Sequence, residues 1–437
     1  MQERKIRPRD RDAVLQALRA GVVPGTGQYL IQVGRAREVQ ALIADAERIV
    51  RGGTAFRVVV GEYGSGKTFF LRLVRALAHE MSLVTAYADL NPDRRIYATG
   101  GQARSLFAEL MKNLATRSKP EGGALAAVLE RFIASAIEDA RKSGEAPETL
   151  IMRKCAHLTE MVNGYDFATV LAAYWRGHNE GNETLKLDAI RWFRGEFTTR
   201  TDARQALGVR TIVDDATVYD QIKLMAAFVR LAGYDGMLVA LDEVVNLYKL
   251  ANPAARNANY EQILRILNDV LQGTVEGLGF IMGCTPDSLF DTRRGIYSYA
   301  ALQSRLAENT FAKGGLIDYQ HPVLHLSALT REDLYMLLEN IRRVYALGDP
   351  SKYLLPDDGI QAFMHHCEKR VGESYFRTPR TTITAFINLL SVLEQYPETP
   401  WTAMIEKLVV EKDEGGAAEL EIIGETTEGE GFAGFQL

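Results

Sequence analysis

The chain has 437 residues, 47% hydrophobic and 24% charged, with a formal net charge of −5. That is long enough for two or three domains and a large core, and it excludes a uniformly basic nucleic-acid binder. No apolar run approaches the roughly 20 residues that span a bilayer, so no membrane partner is expected. The start, Met1-Gln2-Glu3-Arg4-Lys5, has no signal segment, and Cys155, Cys284 and Cys367 lie far apart without metal-ligand spacing, which points to reduced thiols and a cytoplasmic protein.

In chain order, Arg4, Lys5, Arg7, Arg9 and Arg11 make a basic start. A short helix is predicted over 12–20, broken by Gly21-Val22-Val23-Pro24-Gly25. A second helix is predicted over 38–50. Val33, Gly34 and Arg35, just before it, are candidates to close over an adenine ring, or else form a plain turn.

Arg57-Val58-Val59-Val60 predicts a short buried strand, and the helical pattern resumes at Phe69. Between them, Gly61-Glu62-Tyr63-Gly64-Ser65-Gly66-Lys67-Thr68 fits the phosphate-binding pattern G-x-x-x-x-G-K-[ST]. Glycines let successive backbone N–H groups converge on an anion, and the helix N-terminus adds partial positive charge. Lys67 is expected to reach the β/γ-phosphates of ATP, and Thr68 to place its hydroxyl on Mg²⁺. These eight residues and Phe69 are the candidate nucleotide contacts.

A strand over 83–90 ends at Asp89, which either faces the nucleotide or caps the turn at Asn91-Pro92. Helices are then predicted over 101–117, 124–142, 149–162, 166–177, 183–195, 201–207 and 215–233. Trp175, Trp192 and Phe193 are assigned to their core, and Arg191, Arg194 and Arg200 to a solvated face.

Gly236-Met237-Leu238-Val239-Ala240-Leu241 is a continuous apolar run ending in Asp242-Glu243. Such a run suits a strand buried on both faces of a parallel sheet. Two carboxylates at its end call for a cation, so Asp242 is expected beside Thr68 on Mg²⁺, with Glu243 polarising the attacking water. The next run, Leu278 to Asp287, reads as another buried strand ending in a polar residue. Thr285 is a candidate contact to the γ-phosphate or water, or an N-cap with proline at N1, and the two do not exclude each other. After this strand Arg305 is the first candidate for an arginine finger, followed by Arg293 and Arg294.

A last core strand is predicted over 321–326. Helices over 331–347, 357–370, 379–396 and 400–410 form an expected C-terminal lid. Thr330 and Asp333 form a near capping box at its start. Arg380, behind Pro379, is positioned to fold back onto the nucleotide. Residues 413–437 carry seven acids and no Lys or Arg, and are expected to be a disordered acidic tail.

These residues give an α/β P-loop NTPase with a parallel-sheet core, a large α-helical insertion and a C-terminal helical lid. The divisions are 1–92 and 235–326 for the two halves of the core, 93–234 for the insertion, 327–412 for the lid and 413–437 for the tail. The expected activity is ATP hydrolysis. The alternative is a nucleotide-gated binding module that hydrolyses slowly or not at all.

Over roughly residues 10–410 the chain resembles the BrxD family of BREX phage-defence ATP-binding proteins. The resemblance rests on Gly61–Thr68, Asp89-Leu90-Asn91-Pro92-Asp93-Arg94-Arg95, Trp192-Phe193-Arg194-Gly195-Glu196, Leu241–Leu247, Gly283-Cys284-Thr285-Pro286, the run from Arg293 to Leu306, and Thr378-Pro379-Arg380. It implies an AAA+-type ATPase working in a bacterial defence system beside helicases or modification enzymes. The chain is also similar, more distantly, to origin-recognition ATPases that load onto DNA. Homo-oligomerisation and double-stranded DNA are the remaining expected partners.

Overall fold

The computed structural model describes residues 6–312, 317–371 and 379–407. Its centre is one sheet of five parallel strands: β1 (Thr54–Val60), β2 (Leu83–Asp89), β3 (Gly236–Asp242), β4 (Leu278–Cys284) and β5 (Val323–His325). Their order is β2-β3-β4-β1-β5, so β4 separates β1 from β3. Val60 registers with Cys284, and Leu241 with Met282. The carboxyl ends of β1, β4 and β3 therefore open side by side, the edge where open parallel sheets bind ligands. β5 is shorter than predicted.

Strand alternation divides the core between the two faces of the sheet. Ala55 and Val59 of β1 pack with Leu42, Ala46 and Ile49 of α2 (Ala36–Val50) and with Phe70, Leu71 and Val74 of α3 (Lys67–Glu80). That pairing follows α1 (Pro8–Arg19), which begins earlier than predicted with proline at N1, where its missing N–H leaves no bond unmade.

Phe56, Val58 and Val60 face the other way, into the largest core cluster. There they meet α4 (Gln102–Lys112), α5 (Leu125–Ser143), α6 (Pro147–Lys154), α7 (Gly164–Glu180), α8 (Glu183–Phe193), α9 (Arg200–Leu207) and α10 (Val218–Leu231). Trp192 and Phe193 are buried there, edge-on to Phe167, while Trp175 packs half-buried against the cluster. The predicted helix over 101–117 stops at Lys112. Beyond it Ala115 exchanges backbone hydrogen bonds with Thr85 of β2 at 2.9 and 2.7 Å, and this tertiary pairing overrides helix propensity.

α11 (Val245–Tyr248), α12 (Pro253–Gln272), α13 (Pro286–Phe290) and α14 (Ala300–Arg305) fill the connections around β4. α15 (Arg331–Tyr345) begins with the full capping box of Thr330 and Asp333. With α16 (Asp357–Val371), α17 (Pro379–Gln395) and α18 (Trp401–Lys407) it forms a separate apolar cluster. That cluster also takes in Val14, Leu15 and Leu18 of α1 and Leu30, Ile31 and Val33 beyond it. The two ends of the described chain thus share one core. Phe376, Arg377, Thr378 and the expected acidic tail over 413–437 lie outside the described residues. Among the described residues no helix is long and apolar enough to cross a membrane, and the three cysteines are buried and outside any disulfide.

Candidate nucleotide site

Gly61–Thr68 leaves β1 and enters α3. Gly64 and Gly66 hold positive φ (74° and 85°), a region glycine enters without steric cost. At Gly61 a side chain would collide with Ser65 Oγ, a buried hydroxyl that has no partner among the described residues. Gly61 N–H donates to the Cys284 carbonyl at 3.1 Å, which ties the loop to β4.

Lys67 Nζ turns back onto the loop, donating to the Gly61 and Glu62 carbonyls at 2.8 and 2.9 Å, with the Tyr63 ring centroid 5.4 Å away. Burial lowers the Lys67 pKa against the opposing pull of Asp242 and Glu243.

Two carboxylates complete the opening at the end of β3. Thr68 Oγ1 donates to Asp242 Oδ2 at 2.6 Å, and Glu243 N–H donates to Asp242 Oδ1 at 2.9 Å. Asp242 is 1% exposed. Burial raises its pKa although both hydrogen bonds oppose the shift. Glu243 adopts left-handed backbone (φ 55°), which turns the chain sharply at the strand end. Its pKa is raised by desolvation first and by the Asp242 charge second. Asp89 registers beside Asp242 on β2, where the Tyr87 hydroxyl donates to it.

A cleft of about 480 Å³ gathers most of the predicted site residues. Tyr63, Gly64, Ser65, Gly66, Lys67, Thr68 and Phe69 line it, with Glu243, Val33, Arg35 and Arg380. Gly34 (φ 59°) lies against Asp333, where a Cβ would come within 2.9 Å of Oδ1. Arg35, also left-handed (φ 57°), donates from Nη2 to the Ser65 carbonyl at 2.5 Å and the Ser327 carbonyl at 3.3 Å. It staples the loop to the segment after β5. Arg380 lies over Gly21, whose Cβ position would be 2.6 Å from Arg380 Nε.

Other predicted residues lie elsewhere. Thr285 caps α13 through a reciprocal box with Ser288. Its oxygen accepts the Ser288 N–H at 3.3 Å, which leaves its own O–H free to donate. Arg305 is exposed at the end of α14 and donates to the Ala301 carbonyl at 3.1 Å. Arg293 is 91% exposed, while Arg294 is held by the Tyr248 and Leu250 carbonyls, both at 3.2 Å. Arg191, Arg194 and Arg200 pair with Asp188, Glu196 and Asp214, so each is charge-compensated on the surface.

Part of the cleft wall carried no sequence signal. Val22, Val23, Pro24, Ile31, Leu337 and Ile383 give it an apolar side suited to a flat ring. The stretch 21–25 reads only as a helix break, and the partners of Leu337 and Ile383 lie some 300 residues away in the sequence.

The donors present fit a magnesium ion carried in by a nucleotide. Among the described residues no group of three or more His, Cys, Asp or Glu could hold a metal alone. One carboxylate and one hydroxyl, in contact at 2.6 Å, leave the remaining positions to phosphate oxygens and water.

The model of the family of BREX system ATP-binding proteins BrxC/D matches residues 6–408. The chain belongs to that family. Membership brings an ATP-binding role in the BREX phage-defence system, alongside other proteins of that system. No curated protein matches this BrxC/D chain.

Proposed function

We propose that this BrxC/D protein is an AAA+-type ATPase that binds ATP with Mg²⁺ in the cleft and hydrolyses it, acting as an oligomeric or DNA-associated switch in phage defence. The observation that carries the reading is the Thr68–Asp242 hydrogen bond at 2.6 Å, beside Lys67 and Glu243 in one cleft. The placement of β4 between β1 and β3, and of α15 and α17 over the P-loop, supports a core with a C-terminal lid.

Bound Mg²⁺ would neutralise phosphate charge and orient the γ-phosphate. Asp242 and Thr68 would hold it. Lys67 exchanges two carbonyl acceptors for phosphate oxygens, a stronger charge-assisted pairing. Glu243 takes the proton of the attacking water, and its raised pKa moves it toward the range where a base works at neutral pH. Thr285 offers its free O–H from the end of β4. Arg380 meets the phosphates from α17. Arg305, outside the cleft lining, acts on a neighbour's nucleotide.

Equilibrium titration with a fluorescent ATP analogue tests the binding step. The parent should bind in a Mg²⁺-dependent way, and Lys67→Ala should weaken it at least about tenfold, the worth of a charge-assisted hydrogen bond. Equal affinity in both proteins would remove the assignment.

A further inference from the structure

A second cavity, about 240 Å³, opens beside α3. Arg72, Arg75 and His79 reach it from one face of that helix, at i, i+3 and i+7, and Asn113 and Glu121 reach it from beyond α4. Like charges three residues apart on a helix repel. Among the described residues neither guanidinium forms an ion pair. Arg75 lies over the Tyr87 ring at 4.9 Å and reaches only Thr85 Oγ1, at 3.5 Å. Among the described residues Arg72 donates to the Val23 carbonyl alone, at 2.8 Å. Burial, and then the Arg72 charge, disfavour the Arg75 cation, which Tyr87, Glu121 and Asp89 support. His79, depressed to about 4 by burial, is neutral and sits 2.8 Å from Thr85 Oγ1. The exposed Glu121 carboxylate lies against Gly25 rather than on either arginine. The cavity therefore holds two guanidinium forks with no carboxylate at ion-pair distance among the described residues, a shape and charge suited to a dianionic tetrahedral group.

We propose that this cavity is a second anion site for inorganic phosphate or the phosphate of a small phosphomonoester, and that Arg72 couples it to the nucleotide cleft. Arg72 lines both cavities. The carbonyl it holds belongs to Val23, in the apolar wall of the cleft, and Gln28 pins the same loop through the Pro24 and Gly25 carbonyls at 2.6 and 2.8 Å. An anion between the arginines draws Arg72 from Val23 and loosens that wall. The coupling rests on the nucleotide reading above, whereas the site itself does not.

Calorimetric titration of Lys67→Ala, whose P-loop site is weakened, favours the second cavity, and the changes at Arg75 and Glu121 assign the binding to it. Inorganic phosphate and ribose 5-phosphate are the two probes, and the tighter one identifies the source. One equivalent should bind. Adding Arg75→Gln should weaken binding about tenfold or more, as expected for loss of a charge-assisted fork. The exposed Glu121→Gln change should tighten it about two- to fivefold by removing a competing charge. It also serves as the test if Arg75→Gln fails to fold. Binding of neither probe, or affinity indifferent to both changes, overturns the site. Phosphate should also change the affinity of the parent for the ATP analogue but not that of Arg75→Gln; an equal response in both overturns the coupling. A parent that binds no nucleotide refutes the nucleotide reading and leaves the Lys67→Ala titration intact.

Discussion

Gly283 sits on β4 directly beneath the Asp242 carboxylate. A Cβ there would lie under 3.0 Å from Asp242 Oδ1 and 3.2 Å from Leu71 Cδ1. Neither neighbour yields freely. Oδ1 accepts the Glu243 N–H at 2.9 Å, Oδ2 accepts the Thr68 hydroxyl at 2.6 Å, and Leu71 is fully buried on the inner face of α3. Gly283→Ala should therefore cost about 1–3 kcal/mol of stability by overpacking. If the carboxylate swings aside it gives up a charge-assisted hydrogen bond worth about 1.5–3 kcal/mol, so Mg²⁺-dependent ATP affinity should fall about ten- to hundredfold. Gly279, four residues back on the same face, provides the control. Its Cβ would meet Ile49 Cδ1 and Leu238 Cδ1, apolar chain ends that can change rotamer away from the site. Gly279→Ala should lose stability but keep the affinity. Urea unfolding and ATP-analogue titration, with and without Mg²⁺, measure both quantities. Parent-like Mg²⁺-dependent affinity in Gly283→Ala, or equal losses in the two variants, would refute this placement of Asp242.

Arg57 lies in the middle of β1, paired through two nitrogens with Asp45 of α2, and both side chains are almost fully buried. Asp45→Ala strands that guanidinium and should destabilise the protein by about 3–5 kcal/mol in urea unfolding, against much less for the joint Asp45→Leu, Arg57→Met replacement. The raised pKa of Asp242 means that the fold binds its proton more tightly than the unfolded chain does. Its stabilising contribution is complete below the ordinary carboxylate range and lost as pH rises through the raised value. The stability of Asp242→Asn relative to the parent should accordingly rise with pH over that window when nucleotide-free proteins are compared, and a falling difference would reverse the sign. Arg305→Ala removes an exposed side chain and should leave stability within about 0.5 kcal/mol. ATP turnover should nevertheless fall, and mixing with Lys67→Ala protein should restore part of it if the arginine acts on a neighbour.

The centre of the fold was legible in the sequence because its signals are local. A buried strand, a glycine-rich loop and a helix follow one another within about 25 residues, and Asp242-Glu243 closes an unbroken apolar run. The capping residues Thr330 and Thr285 announce their own helices by side-chain chemistry. What the sequence did not disclose depends on distant partners. Arg57 looks like an anomaly in a strand until Asp45 stands opposite it. The helix after Gly101 stops early because Ala115 pairs with Thr85. The apolar wall of the cleft draws on Val22 and Ile31 from one end of the chain and Leu337 and Ile383 from the other, and no local periodicity connects them. The interval 93–234 was legible as helices, but its burial against the sheet through Phe56, Val58 and Val60 was not.

In the proposed mechanism Glu243 serves hydrolysis, while Lys67, Thr68 and Asp242 serve binding. Steady-state ATP turnover by Glu243→Gln, measured on the preparation used to titrate the ATP analogue with Mg²⁺, tests it most directly. Parent-like affinity is expected, with turnover reduced about 10²- to 10⁴-fold, the usual contribution of a general base. Turnover equal to the parent's would contradict it, and tight binding without turnover in the parent itself would leave a nucleotide-gated binding module in place of an ATPase.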